Sequence, residues 1–89
     1  MRIEFSKEFR RDLRHLNDKQ FEQFKKRLTL FANQPSHPLL HNHQLKGKLK
    51  GYCSFNITGD LRVQYRIEGN LEHGTVIKMV CIGTHSQLY

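Results

Sequence analysis

Apolar residues recur along this chain with two different periods, and the change from one to the other divides it. Residues 1–5 alternate, with Met1, Ile3 and Phe5 set against Arg2 and Glu4, the pattern of a short strand. Ser6 follows as a helix N-cap, because its hydroxyl can accept from a free backbone amide of the first turn. Phe9, Leu13 and Leu16 then fall at helical spacing with Lys7, Arg10, Arg11 and Arg14 facing elsewhere, which predicts an amphipathic helix with a positive solvent side. Asn17-Asp18 breaks that helix and caps the next. Phe21, Phe24, Leu28 and Phe31 mark the buried stripe of a second helix of about three turns, packed antiparallel on the first. Pro35 and Pro38 close the hairpin, since proline biases the residue before it away from helix.

Beyond Pro38 the period becomes two. Cys53, Phe55 and Ile57 alternate with Tyr52, Ser54 and Asn56; Thr58-Gly59-Asp60 supplies a turn; and Leu61, Val63, Tyr65 and Ile67 define a buried face opposite Arg62, Gln64 and Arg66. Glu68-Gly69-Asn70 reads as a second turn, and Val76 to Ile82 as a central strand. Lys46, Lys48 and Lys50 alternate with Gly47, Leu49 and Gly51, so the expectation is an extended segment with the lysines on one side. The phenylalanine stripes need one face of this sheet as their floor. The fold expected is α+β: an N-terminal strand and an α-helical hairpin packed on one face of a mostly antiparallel sheet of four or five strands, the other face open and cationic. Residues 1–89 read as a single domain without repeats.

Charge narrows the partners. Lys and Arg number 15 against 8 Asp and Glu, a net charge of +7, which favours a polyanion because each neutralised phosphate releases counterions. Charge alone does not choose among RNA, DNA, an anionic membrane and an acidic protein. Cys53 and Cys81 lie in apolar strands without metal-type spacing and read as small buried hydrophobes. No apolar run approaches the ~20 residues that span a bilayer. The start of the chain lacks the apolar core of a signal peptide, so the expected location is cytoplasmic, without membrane.

The residues suited to chemistry are two histidines, His43 and His85, with Asp60, Arg62 and Tyr89. Cleavage of RNA by its own 2′-hydroxyl needs a base, a proton donor for the departing 5′-oxygen, and positive charge at the phosphorane. Imidazoles suit the two proton roles, and Arg62 with lysines suits the third. Nothing in such a scheme requires a metal or cofactor. His15, His37 and His73 read as surface residues, while His41 stands two residues from His43 and can line the same cleft. The phenylalanine stripe reads as core rather than as a stacking platform.

Four segments in chain order resemble the RelE-type toxins of bacterial toxin–antitoxin modules, closest to the YafQ branch: His43-Gln44-Leu45-Lys46-Gly47, Lys50-Gly51-Tyr52, Asn56-Ile57-Thr58-Gly59-Asp60, and Gly83-Thr84-His85-Ser86-Gln87-Leu88-Tyr89. The resemblance implies a small endoribonuclease that cuts mRNA in the ribosomal A site, restrained by a cognate antitoxin and meeting operator DNA only through the antitoxin complex. It implies His43, Asp60 and His85 as catalytic residues, with Lys46, Lys50, Arg62 and Tyr89 as substrate contacts and no metal; Asn56 is counted with those contacts on its own chemistry. The YafQ branch carries a further histidine where this chain has Asn56, and an acidic residue where it has Ser54. Asn56 can hold a phosphate or orient His43 but cannot exchange a proton near neutral pH.

Two rivals remain at this stage. One is a ParE-type toxin on the same scaffold that inhibits DNA gyrase by binding; the other is an RNA- or ribosome-binding module whose histidines are idle. Asp60 as a plain turn residue, and the lysines as solubilising charge, are the corresponding bland readings of the site.

Overall fold

The computed structural model describes residues 2–70 and 74–88. Strand β1 (Arg2–Phe5) leads into helix α1 (Lys7–Leu13) and the longer α2 (Asp18–Asn33). After a 3-10 turn at Pro38–Leu40 come β2 (His43–Gln44), a second 3-10 turn at Gly47–Leu49, then β3 (Cys53–Asn56), β4 (Leu61–Asn70), β5 (Gly74–Thr84) and a short terminal helix α3 (His85–Leu88). The strands form one five-stranded sheet in the order β1-β5-β4-β3-β2, with β1 parallel to β5 and every other pair antiparallel. The α+β architecture read from the sequence is the one observed. Among the described residues no helix is long and apolar enough to cross a membrane.

Both helix starts use the caps that the sequence offers. Ser6 Oγ accepts from Phe9 N–H at 3.0 Å and donates to Val80 O at 2.9 Å, so one hydroxyl caps α1 and ties it to β5. Asn17 and Gln20 form a reciprocal capping box on α2. At 16 residues α2 runs about a turn longer than its phenylalanine stripe suggests. Its rings reach the sheet: Phe31 stacks on Phe55 with centroids 4.5 Å apart and meets the edge of Tyr65 at 5.2 Å. Phe9, Phe24 and Phe31 are buried, each contributing on the order of 1.5–3 kcal/mol by leaving water. Phe21 departs from the expected core stripe; it is 40% exposed, with Lys25 Nζ 5.4 Å from its ring centroid.

Three strand features differ from expectation. Glu68, Gly69 and Asn70 continue β4 instead of turning, and the connection falls on residues 71–73, outside the described ones. Gly69 is there for closeness, since a β-carbon on it would stand 2.6 Å from the Gly74 carbonyl oxygen. This long hairpin outruns β3, whose pairing with β4 ends at Cys53 and Tyr65, and Ile67 beyond it is exposed instead of buried. The Lys46–Gly51 segment is not extended. Gly47 and Gly51 adopt positive φ of 67° and 98°, the chain turns back, and Leu45 N–H donates to Tyr52 O at 2.9 Å. The lysines therefore sit on a turn rather than on one side of a strand.

The third difference sets up the outer face. Between Gln64 and Tyr65 the β4–β5 register slips, so Gln64 faces Cys81 while Tyr65 faces Met79, leaving Val80 as the extra residue of a bulge. Strict alternation from Ile77 and Met79 would send Cys81 and Gly83 into the core. The bulge exchanges the faces: Ile82 continues the core, and Cys81 joins the outer face, where its thiol donates to Gln64 Oε1 at 3.2 Å. Cys53 is the buried core cysteine expected; Cys81 is not. Past the end of β1, Asp12 Oδ2 accepts from Ile82 N–H at 3.4 Å and partly replaces the missing strand neighbour.

Candidate active site

On the face opposite the helices a hollow is lined by His41, Asn42, His43, Asn56 and Arg62. Asn56 on β3 stands directly across from Arg62 on β4, and His43 on β2 across from Ser54 on β3. The rim is shaped by a tight reversal. His37 Nδ1 accepts from Leu39 N–H and caps the Pro38–Leu40 turn, and His41 ends that turn in a left-handed conformation with φ 46°. A side chain-bearing residue pays for that conformation with local strain, so neighbours must hold it. Asn42 does so from both ends of its carboxamide: Nδ2 donates to Pro35 O at 3.0 Å, and Oδ1 accepts from Tyr65 OH at 2.6 Å. Burial pushes the Tyr65 phenol up to about 12, which keeps it protonated and donating.

This reversal fixes the chemistry of His43. Its Nδ1 lies 2.7 Å from the carbonyl oxygen of His41, and a carbonyl only accepts, so Nδ1 carries the hydrogen. The neutral ring then keeps Nε2 as its proton acceptor. His41 contributes its backbone oxygen and one wall.

The floor of this face differs from the open surface expected. Ser54 is fully buried and Gln64 is 5% exposed. The reason is position: Ser54, a two-atom side chain, lies between His43 and Gln64 in a cross-strand row that ends at Cys81. Burial pushes the Cys81 thiol up to about 11, with the nearby Asp12 carboxylate adding to the effect, so it stays a donor to Gln64 Oε1. Gln64 Nε2 is left facing away from that bond.

Polar atoms here lack protein partners. Ser54 Oγ, Asn56 Oδ1, Arg62 Nε and Gln64 Nε2 are buried without a hydrogen bond, four of the five such side-chain atoms among the described residues, and they belong to two adjacent cross-strand pairs. Each unsatisfied buried group costs on the order of 1–3 kcal/mol. A concentration of them on one face marks where water or a bound polar group completes the site.

The remaining sequence candidates fall in three places. His85 opens α3, exposed, two residues beyond Gly83, which faces Arg62 in register. A β-carbon on Gly83 would meet Gln87 Oε1 at 2.8 Å and Leu88 Cδ2 at 3.3 Å, so α3 folds back over the Arg62 face. At about 4.8 Å per strand step, the Asn56, Arg62 and Gly83 backbones form a row about 10 Å long. Asp60 lies at the tip of the β3–β4 turn, exposed and off the lining of the hollow. That turn is closed by Thr58 Oγ1, which accepts from Leu61 N–H at 3.0 Å and Asp60 N–H at 3.3 Å. Lys46 and Lys50 are exposed beside the second 3-10 turn, also off the lining. Tyr89, like His73, lies outside the described residues.

Asn42, Tyr65, Ser54 and Gln64 carried no role in the sequence reading. Asn42 stands one residue before the His43-Gln44-Leu45-Lys46-Gly47 segment, and Tyr65 reads as core, which it also is; only its hydroxyl bond reveals the second duty. Among the described residues no three of His, Cys, Asp and Glu are grouped as a metal ion would require.

Comparison with known proteins agrees with this fold. YafQ from Escherichia coli BL21(DE3) superposes with a TM-score of 0.79 at 22% identity, over 100% of this chain and 99% of that one. The YafQ chain of an E. coli DinJ–YafQ complex does so with 0.73 at 26% identity, over 100% and 99%. A metal-bound toxin from Helicobacter pylori gives 0.71 at 30% identity, with the same coverage. No curated protein matches the sequence significantly. The family model described as "Bacterial toxin of type II toxin-antitoxin system, YafQ" matches residues 1–89, and the chain therefore belongs to the YafQ family of type II toxins.

Proposed function

We propose that this toxin is an endoribonuclease that cuts mRNA in the ribosomal A site and so stops translation. The observation that carries the reading is the His43–His41 bond, which leaves an imidazole acceptor, Nε2, in a hollow shared with Arg62 and Asn56. In the reaction His43 Nε2 takes the proton of the ribose 2′-hydroxyl, and the 2′-oxygen attacks the adjacent phosphorus. The bond to the 5′-oxygen of the next nucleotide breaks, and His85, entering as imidazolium, donates the proton that leaves with it. The products are a 2′,3′-cyclic phosphate and a 5′-hydroxyl. Arg62 stabilises the charge of the phosphorane, and Asn56 hydrogen-bonds a phosphate oxygen or the substrate ribose. No step calls on a metal.

Asp60 acts from the β3–β4 turn, orienting or tuning an imidazole. Lys46 and Lys50, at the two ends of the second 3-10 turn, hold the message backbone, and Tyr89 stacks on a base. The partner that restrains the toxin is an antitoxin: relatives have been solved as DinJ–YafQ complexes. Operator DNA meets the toxin through that complex. A translating extract supplied with the wild-type chain, His43→Ala or His85→Ala tests the reaction. Wild type should release fragments ending in a 2′,3′-cyclic phosphate, and each variant should remove most of them while still binding antitoxin. Intact message with wild-type protein would overturn the proposal.

A further inference from the structure

His85 stands at the first position of α3, a helix of only four residues. So short a helix has no stability of its own, because nucleating a turn fixes several dihedral angles for a single hydrogen bond. Its start is held by side chains. Thr84 N–H donates to Gln87 Oε1 at 2.8 Å, and Gln87 N–H donates to Thr84 Oγ1 at 3.3 Å. These two bonds are the reciprocal capping box of a Thr-x-x-Gln sequence, and His85 lies inside it. Gly83 completes the device. It is buried, and its missing β-carbon leaves room for the Gln87 carboxamide, whose Oε1 would otherwise be 2.8 Å from that carbon.

We infer that Thr84 and Gln87 are positioning residues that set the imidazole of His85 at the start of α3 through this capping box, with Gly83, which faces Arg62 in register, as the seat for Gln87. The inference rests on the proposed role of His85 in cleavage. It accounts for four successive features of the terminal motif, a glycine, a hydroxyl, an imidazole and a carboxamide three residues after the hydroxyl, as one mechanical unit. A box of this kind accepts Glu in place of Gln and Ser in place of Thr, because both keep an acceptor at the same reach. Gly83→Ala is a separate way to break it. The atom its β-carbon would strike is the free end of a flexible side chain, so the fold yields by releasing Gln87.

The test is single-turnover cleavage of ribosome-bound message at saturating toxin, with the half-saturating concentration measured alongside, for wild type, His85→Ala, Gln87→Ala, Gln87→Glu and Gly83→Ala. Antitoxin binding and the thermal midpoint report folding in each. Gln87→Ala and Gly83→Ala should each slow cleavage about ten- to a hundred-fold, the scale of a misplaced catalytic group, with little change in half-saturation. Gln87→Glu should restore the rate to within about three-fold, and the double variant Gly83→Ala/Gln87→Ala should be no slower than either single one, as expected for two routes to one loss. An inactive His85→Ala beside a fully active Gln87→Ala would overturn the capping box as the positioning device. So would a Gln87→Glu as slow as Gln87→Ala. A fully active His85→Ala would instead overturn the role of His85, and the inference with it.

Discussion

His43 donates its Nδ1 hydrogen to the carbonyl oxygen of His41 across 2.7 Å, and that bond decides which ring nitrogen takes a proton. A long-range proton–nitrogen spectrum of the imidazoles at pH 8 should therefore show neutral His43 as the Nδ1–H tautomer, with Nε2 unprotonated. A dominant Nε2–H form would remove the base from the proposed reaction.

The reversal that presents His43 hangs on Tyr65, whose hydroxyl reaches Asn42 at 2.6 Å. Tyr65→Phe should cost about 1–2 kcal/mol in denaturant unfolding by leaving Asn42 Oδ1 unpaired. It should also slow cleavage, because His41 then lacks one of its restraints. Normal stability together with normal cleavage would show that Asn42 does not need the phenol.

The same burial sets an alkaline limit. Folding raises the Tyr65 phenol from 10.0 to about 12 and the Cys81 thiol from 9.0 to about 11. Both groups are neutral when protonated, so the fold favours the protonated forms. The stability this lends is complete below pH 9 and is lost as pH rises through 9–11 for Cys81 and 10–12 for Tyr65. Unfolding midpoints should fall over that range in wild type and fall less in Tyr65→Phe and Cys81→Ala. Parallel curves would contradict the assignment.

Arg62 is the cation that lines the hollow, opposite Asn56. If it meets a phosphate, Arg62→Ala should reduce the slope of log affinity against log salt by about one for a non-cleavable 2′-O-methyl message on the ribosome. An unchanged slope would place Arg62 away from the backbone.

Asp60 offers a clean separation of turn from chemistry. Thr58, not the Asp60 carboxylate, closes the β3–β4 turn. Asp60→Asn should leave the unfolding free energy within about 0.5 kcal/mol of wild type, whereas Thr58→Ala should cost about 1 kcal/mol. A cleavage defect in Asp60→Asn then reports chemistry alone, and normal cleavage would leave Asp60 as a turn residue.

Much of the fold was legible because its periods are clean. Phe24 and Phe31 repeat with the helix, Phe55 and Val63 with the strand, and Ser6 and Asn17 cap where their side chains permit. Gly69 misled because a glycine that signals a turn also permits close backbone approach. The lysine alternation misled because Gly47 and Gly51 take left-handed conformations that spacing does not reveal. The faces of Cys81 and Gly83 depended on a bulge at Val80, a property of the pairing with β4 that neither strand carries alone. In the hollow, His43 is a candidate that its motif offers, but its tautomer follows from a backbone oxygen and the hold on Asn42 from a tyrosine 23 residues away. The Thr84-to-Gln87 box was readable as a Thr-x-x-Gln start signal, though the helix it opens is too short for periodicity to announce.

Cleavage by His43 and His85 is tested most directly by primer extension on cellular mRNA after brief induction of the wild-type chain, His43→Ala and His85→Ala. The account predicts new 5′ ends in phase with codons for the wild type, and their loss by about a hundred-fold or more in each variant, the scale of a missing proton-transfer group. Equal cutting by all three, or no cutting by the wild type while translation still stops, would contradict it.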